Sequence, residues 1–207
     1  MPLDNERTRD IDVKLDKALQ VLKSLEKMAE KEFVPSIGPI KGKIIADIIK
    51  RYQPEDILAI GTLYGYSAIL MANALSGLDG KVVTIEMDRS KAETARKNIA
   101  DAGLLEKIEV IEGNALDNIP KLNQTFQLMF LDAAKIEYLK YLKSAEKKCL
   151  EKGAVIVADN VKVSKNEMLD FLEYVRNSGI YRSETIKTTL EYTPNIKDAI
   201  EVSIKTN

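Results

Sequence analysis

The sequence predicts an α/β fold: a seven-stranded, mostly parallel sheet with an antiparallel edge pair and helices on both faces. Three observations predict it. Short, nearly continuous apolar runs near 56–60, 82–86, 107–112, 126–131 and 154–158 alternate with segments of helical periodicity, as strands buried on both faces do. Four of these runs lead into Gly61, Glu86, Asp132 or Asp159-Asn160. The tail holds two more strand-like segments, near 180–188 and 198–205. No helix-length stretch separates them, so they pair antiparallel at an edge.

Each element follows from its pattern. Residues 10–31 place Ile11, Leu15, Leu19, Leu22, Leu25 and Ala29 on one helical face, with Lys and Glu on the other. Such a helix packs on the domain, and it also suits packing across a dimer. The stretch FVPSIGP at 33–39 is a loop. A second helix turns Ile40, Ile44, Ile45, Ile48 and Ile49 inward and is ended by Pro54. Ile57 to Ile60 form a strand, Gly61 and Gly65 a tight turn, and Ser67 opens a helix carrying Ala68, Met71, Ala72 and Leu75. The strand at 82–86 leads to a helix at 89–101, with Ala92, Ala95 and Ile99 inward and Gly103 as stop signal. KIEVIE at 107–112 is followed by Gly113, Asn114 and a short turn to Pro120. After FQLMFL at 126–131, a helix over 136–150 shows Leu139, Leu142, Ala145 and Cys149 in one stripe, closed by Gly153. AVIVA at 154–158 precedes a helix over 165–177 with Met168, Leu169, Leu172 and Val175. A turn at Pro194-Asn195 joins the last two strands.

Composition narrows the function. At 207 residues the chain fits one domain, or one domain with an extension. Lys+Arg 31 against Asp+Glu 32 argues against a surface dominated by nucleic-acid binding, though a local basic patch is compatible with it. The chain contains no histidine, which excludes His-based catalysis and His metal ligands. Any metal must then be a hard ion held by oxygen. Cys149 is the only cysteine, so no internal disulfide can form and a reducing compartment is expected. With a polar opening stretch and no apolar run of membrane-spanning length, a cytoplasmic protein is expected.

In doubly wound sheets ligands bind beyond the carboxyl ends of the strands. The glycine turn at Gly61 and Gly65 brings backbone close to a ligand, and the following helix N-terminus offers unpaired N–H groups. Glu86, ending the next strand, suits the two hydroxyls of a nucleoside ribose. Asp132, Asp159 and Asn160 make an all-oxygen set suited to a divalent cation, Mg²⁺ first, with Mn²⁺ or Ca²⁺ as alternatives. Any one of the three equally suits a cap or a turn; as a set at two strand ends they point to the metal. Lys135, three residues beyond Asp132, reaches the same site. A lysine beside a divalent cation has its neutral form favoured and can remove a proton from an acceptor hydroxyl.

With these motifs in order, the chain resembles the class I, metal-dependent O-methyltransferases that use S-adenosylmethionine, the group of catechol and caffeoyl-CoA O-methyltransferases. The matching pieces are IGPIKG at 37–42, IGTLYGYSA at 60–68, IEMD at 85–88, EGNALDNIP at 112–120, FLDAAK at 130–135, ADNV at 158–161 and LEY at 190–192. The spacing around IGPIKG, GYSA and LEY is closer to the catechol enzyme. The resemblance implies a Rossmann-like methyltransferase fold, a single domain over 1–207 with a helical extension over about 1–34. It implies S-adenosylmethionine as cofactor, a divalent cation, and a small-molecule acceptor with catechol-like vicinal hydroxyls. Ile37, Gly61 and Ser67 would hold the methionine end and Glu86 the ribose. Ala115, Leu116 and Ala134 would lie near the adenine, and Leu63, Met87, Gly113 and Asp132 would complete the cofactor site. Asp132, Asp159 and Asn160 would bind the metal and Lys135 would be the general base. Lys135, Asn160 and Glu191 would meet the acceptor, Glu191 at its second hydroxyl. Dimeric microbial members imply a homodimer. Some bacterial members methylate a hydroxylated uridine in tRNA, which stays open as an alternative, as does a non-catalytic nucleoside-binding or nicotinamide-binding domain. Three residues depart from the family pattern. Ala59 replaces the usual acid before the motif glycine, Ala134 replaces an Asp or Trp, and Ala133 is also small; weaker cofactor binding and an altered acceptor preference are expected.

Overall fold

The computed structural model describes the backbone of residues 3–32, 34–75 and 79–207, and within these ranges the side chains from residue 16 onward. The elements run α1 (Leu3–Glu32), α2 (Gly38–Tyr52), β1 (Asp56–Ile60), α3 (Tyr66–Ala74), β2 (Lys81–Glu86), α4 (Arg89–Asp101) and β3 (Ile108–Glu112). They continue with α5 (Ala115–Asn118), β4 (Phe126–Leu131), α6 (Tyr138–Lys148), β5 (Leu150–Ala158), α7 (Leu169–Asn177), β6 (Tyr181–Leu190) and β7 (Thr193–Lys205). The seven strands form one sheet in the order β3-β2-β1-β4-β5-β7-β6. The first five are parallel; β7 pairs antiparallel with both β5 and β6.

Strand alternation divides the core in two. Ile57 and Ala59 of β1 face one cluster, built with Ala18, Leu22 and Leu25 of α1, Ile45, Ile48 and Ile49 of α2, the apolar side of α3, and Ala95 and Ile99 of α4. Leu58 and Ile60 face the other, built with Ala115, Tyr141, Leu142 and Ala145 and with Phe171, Leu172 and Val175 of α7. Each large aliphatic side chain so buried contributes about 1.5–3 kcal/mol. Local signals agree with the packing. Asp88 caps α4 by accepting from the N–H groups of Ser90 and Lys91.

Several expectations are corrected. Leu19, Ile40 and Leu169, expected inside, are 42%, 47% and 51% exposed, because each lies at the margin of its helix's apolar face. Ile11 and Leu15 lie outside the described side chains. Residues 165–167 form a 3₁₀ turn and the helix proper begins only at Leu169. Gly153 does not close the preceding helix, which ends at Lys148. It lies instead, at φ 91°, in an irregularity of β5 where pairing with β4 jumps from Phe126–Leu150 to Leu128–Val155. The final turn is not at Pro194-Asn195. Leu190 pairs with Thr193, so the hairpin turns at Glu191-Tyr192, with Tyr192 at φ 59°. Pro194 is tolerated within β7 because it falls in a register shift, between Thr193, which pairs with Leu190, and Lys197, which pairs with Thr189, and so has no ladder partner to donate to.

Candidate active site

Register brings the predicted residues together. Ile60 lies beside Ile85 on one side and Leu131 on the other, and Leu131 lies beside Ala158. The residues that follow, Gly61, Glu86, Asp132 and Asp159, therefore sit in a row at one edge of the sheet. They line a cavity of about 630 Å³. Ile37, Leu63, Ser67, Met87, Gly113, Ala115, Ala134, Lys135, Asn160 and Glu191 line it as well. Leu116 does not; it packs against the core on the α5–α7 side.

The cofactor half is built on one carboxylate. Glu86 Oε2 accepts from the backbone N–H groups of Thr62 (3.1 Å) and Leu63 (2.8 Å), and Oε1 from Asp88 N (3.0 Å). It thereby fixes the glycine turn against the end of β2. Gly61 (φ 98°) is required twice: an L side chain rarely adopts this backbone, and a Cβ would collide with the Asp132 carbonyl. Gly61→Ala is therefore expected to cost about 2–4 kcal/mol of stability, strain and overpacking together, and to displace Asp132; chemical unfolding and nucleoside-binding titrations check it. Ala59, wholly buried, lends the site no polar group.

The acidic half is denser. Lys135 Nζ donates to Asp132 Oδ1 (2.8 Å) and to the Tyr138 hydroxyl (2.9 Å), which itself donates to the Leu131 carbonyl (2.9 Å). Asp159 is 2% exposed. Burial, then the nearby Asp132 charge, raise its carboxyl above the ordinary range, against the pull of Lys41. Lys41, also 2% exposed, places Nζ 2.7 Å from Asp159 Oδ1 and 2.7 Å from Asp198 Oδ2. Its pKa rises even though burial opposes this, because Asp159 and Asp198 hold the charge. Burial pushes Asp198 up, but Lys41 and the N–H groups of Ala199 and Val163 outweigh it and keep the carboxyl below its usual value. Lys41 donates its hydrogen bond to Asp159 Oδ2 (3.0 Å); Oδ1, though ion-paired with the same ammonium, is buried and among the described residues accepts no hydrogen bond. An oxygen of this kind, beside Asp132 and Asn160, fits a hard divalent cation.

Two more elements enclose the cavity. Leu25, Met28 and Ala29 of α1 line it, and Tyr66 donates to Glu26 Oε1 (2.6 Å). The described side chains of the N-terminal helix thus pack on the core and border the cavity. Glu191 lies at the rim, where its carboxylate accepts from Ile40 N (3.2 and 3.3 Å) at the start of α2. The sequence reading assigned no role to Lys41, Tyr138 or Asp198. Lys41 stands within the quoted IGPIKG, so its motif was in view even though its partners were not.

A mostly parallel sheet whose strand ends gather a glycine turn, a hydrogen-bonded glutamate and a buried acid followed by a part-buried amide defines a class: α/β enzymes that bind a small cofactor at the sheet edge. Comparison with known proteins gives the family. Residues 9–168 match the family model described as O-methyltransferase, and the chain belongs to that family. It is 38% identical over 181 residues to catechol O-methyltransferase B of Danio rerio, covering 84% of this chain and 67% of that protein. The chain thus spans about two thirds of the length of that relative. The O-methyltransferase TomG from Streptomyces achromogenes, solved in complex with SAM, superposes with a TM-score of 0.79 at 29% identity, over 90% of each chain. An O-methyltransferase from Bacillus cereus, solved in complex with SAH, gives 0.77 at 28%, over 94% of this chain and 91% of that one. The Rossmann-like methyltransferase fold expected from the sequence is the fold observed. Among the described residues no helix is long and apolar enough to cross a membrane.

Proposed function

We propose that this chain transfers the methyl group of S-adenosylmethionine to one hydroxyl of a catechol-like vicinal diol on a small molecule, with Mg²⁺ or another divalent cation. The observation that carries the reading is that one cavity unites a glutamate-anchored glycine turn with the Asp132, Asp159 and Asn160 oxygens and Lys135. The names of the catechol O-methyltransferase relatives and the SAM and SAH complexes of the structural neighbours support it.

Asp132, Asp159 and Asn160 would hold the cation, and Asp159 Oδ1, ion-paired with Lys41 but accepting no hydrogen bond among the described residues, would supply one oxygen. A cation there supplies positive charge that lowers the pKa of an acceptor hydroxyl and orients the diol. The sulfonium cofactor supplies a methyl group already activated for in-line displacement, so the chain's task is chiefly positioning. Glu86 takes the ribose hydroxyls with the lone pairs its three backbone donors leave free. Gly61, Ser67 and Ile37 border the methionine end, and Ala115, Ala134 and Met87 the adenine. Lys135, positioned by Asp132 and Tyr138, would remove the acceptor proton in its neutral amine form, since an ammonium has no lone pair to accept it. Glu191, at the rim, faces the second hydroxyl once its hold on Ile40 N is exchanged for the acceptor. Ala133 and Ala134 widen the wall near this half of the cavity. The test is transfer of a deuterated methyl from labelled S-adenosylmethionine to a panel of simple catechols, read by mass spectrometry. Mono-methylated product that vanishes with EDTA is expected; no product from any catechol, or product unaffected by EDTA, contradicts the reading.

A further inference from the structure

We infer that Asp198 and Lys41 are positioning residues for the metal site: together they clasp Asp159 and Asn160, two consecutive ligands, from behind. The inference rests on the metal reading above and deepens it.

The geometry is specific. Asn160 Nδ2 donates to Asp198 Oδ2 (3.0 Å). A carboxylate only accepts hydrogen bonds, so it takes the NH₂ arm of the amide and leaves the carbonyl arm turned away from itself. That carbonyl oxygen is the atom a hard cation needs. Without Asp198 the amide has no such instruction, and its NH₂ arm can turn to the ligand position. Asp198 acts on the backbone too. Its Oδ1 accepts from Lys162 N (3.3 Å) and Val163 N (3.1 Å), fixing the chain just after Asn160. Asn160 itself holds a left-handed φ of 61°, a conformation that needs such support. Lys41 completes the clasp from α2. Its ammonium lies between Asp159 and Asp198, so Asp159 cannot rotate freely and Asp198 is neutralised in the interior. All three side chains are nearly excluded from solvent, at 1–2% exposure. Charged groups so buried and so closely paired rigidify what they touch.

Removing a group that orients a metal ligand typically weakens metal affinity 10- to 100-fold. The experiment measures Mn²⁺ binding to the SAH-loaded protein by the electron paramagnetic resonance signal of the free ion, with SAH affinity and the thermal midpoint measured on the same samples. Asp198→Asn is nearly isosteric, but it sets an NH₂ group against Lys41 or against the Lys162 and Val163 N–H groups. Asp198→Ala removes every acceptor. Because a lone buried charge can unfold a protein, the double variant K41M/D198L, which removes both charges, carries the measurement if the single variants do not fold. The expected result is a 10- to 100-fold rise in the Mn²⁺ dissociation constant with SAH affinity within about twofold of wild type. Mn²⁺ affinity unchanged in folded variants overturns the inference. So does a parallel loss of SAH and Mn²⁺ affinity, which would make Asp198 a general structural residue. Wild-type protein that binds SAH but no Mn²⁺ refutes the metal reading itself and the inference with it.

Discussion

Asp132→Asn is expected to weaken divalent-cation binding and to lower methyl transfer by about 10²–10³ while leaving the fold intact. Asp132 follows directly on β4, its backbone N–H held by the Ile60 carbonyl at 3.0 Å, so the position does not depend on the side chain. The side chain is 22% exposed, and its ion partner among the described residues is Lys135. An amide of the same shape keeps the packing but removes one of the two carboxylate charges the cation would meet. Loss of a preorganised charge at a reacting centre costs about 10²–10³ in rate. Turnover measured against Mg²⁺ concentration, beside calorimetric SAH binding, checks it. Near-normal turnover in the variant, or in wild type with chelator, would remove the metal from the mechanism.

The second large effect is at Lys135. Its ammonium is held by Asp132 Oδ1 and the Tyr138 hydroxyl, a mount that fixes the nitrogen at the cavity wall. Tyr138 is fully buried and edge-on to Phe171 at 5.7 Å, so the mount is rigid. Lys135→Met keeps the aliphatic stem and removes the base. General-base catalysis is worth about 10²–10⁴ in rate, and kcat is expected to fall by that order with SAH affinity unchanged. The deficit should shrink as pH rises toward a phenolic pKa of about 10, because the acceptor then ionises without help. A deficit constant with pH, or a large loss of SAH affinity, would move Lys135 to a binding role.

The strand ends were legible because they are local. An apolar run followed by glycine or an acid marks both the strand and the residue at its carboxyl end, and parallel register does the rest. That is why the sequence alone groups Gly61, Glu86, Asp132, Asp159 and Asn160. The clasp behind them was not legible. Lys41 meets partners 118 and 157 positions away, and a lysine in a helix is ordinarily read as a solvated charge. Asp198 stands just before an apolar stretch of the last strand, where an acid looks like a surface residue. It is buried because β7 enters the sheet beside β5, and that order is a tertiary fact. The closing hairpin misled for a different reason: Pro-Asn is the stronger turn signal, yet Glu191-Tyr192 makes the turn. The consequence is functional, since it sets Glu191 at the apex of a tight hairpin over the start of α2. Leu116, next to Ala115 in a one-turn helix, packs against the same core cluster as Ala115 but, unlike it, does not reach the cavity, because neighbouring residues of a helix do not share a face.

The most direct test of the central claim is calorimetric titration with SAH, followed by a simple catechol, with and without Mg²⁺. The expected result is SAH binding in both conditions and catechol binding only when Mg²⁺ is present. Catechol binding that is indifferent to Mg²⁺, or no SAH binding at all, would contradict the account.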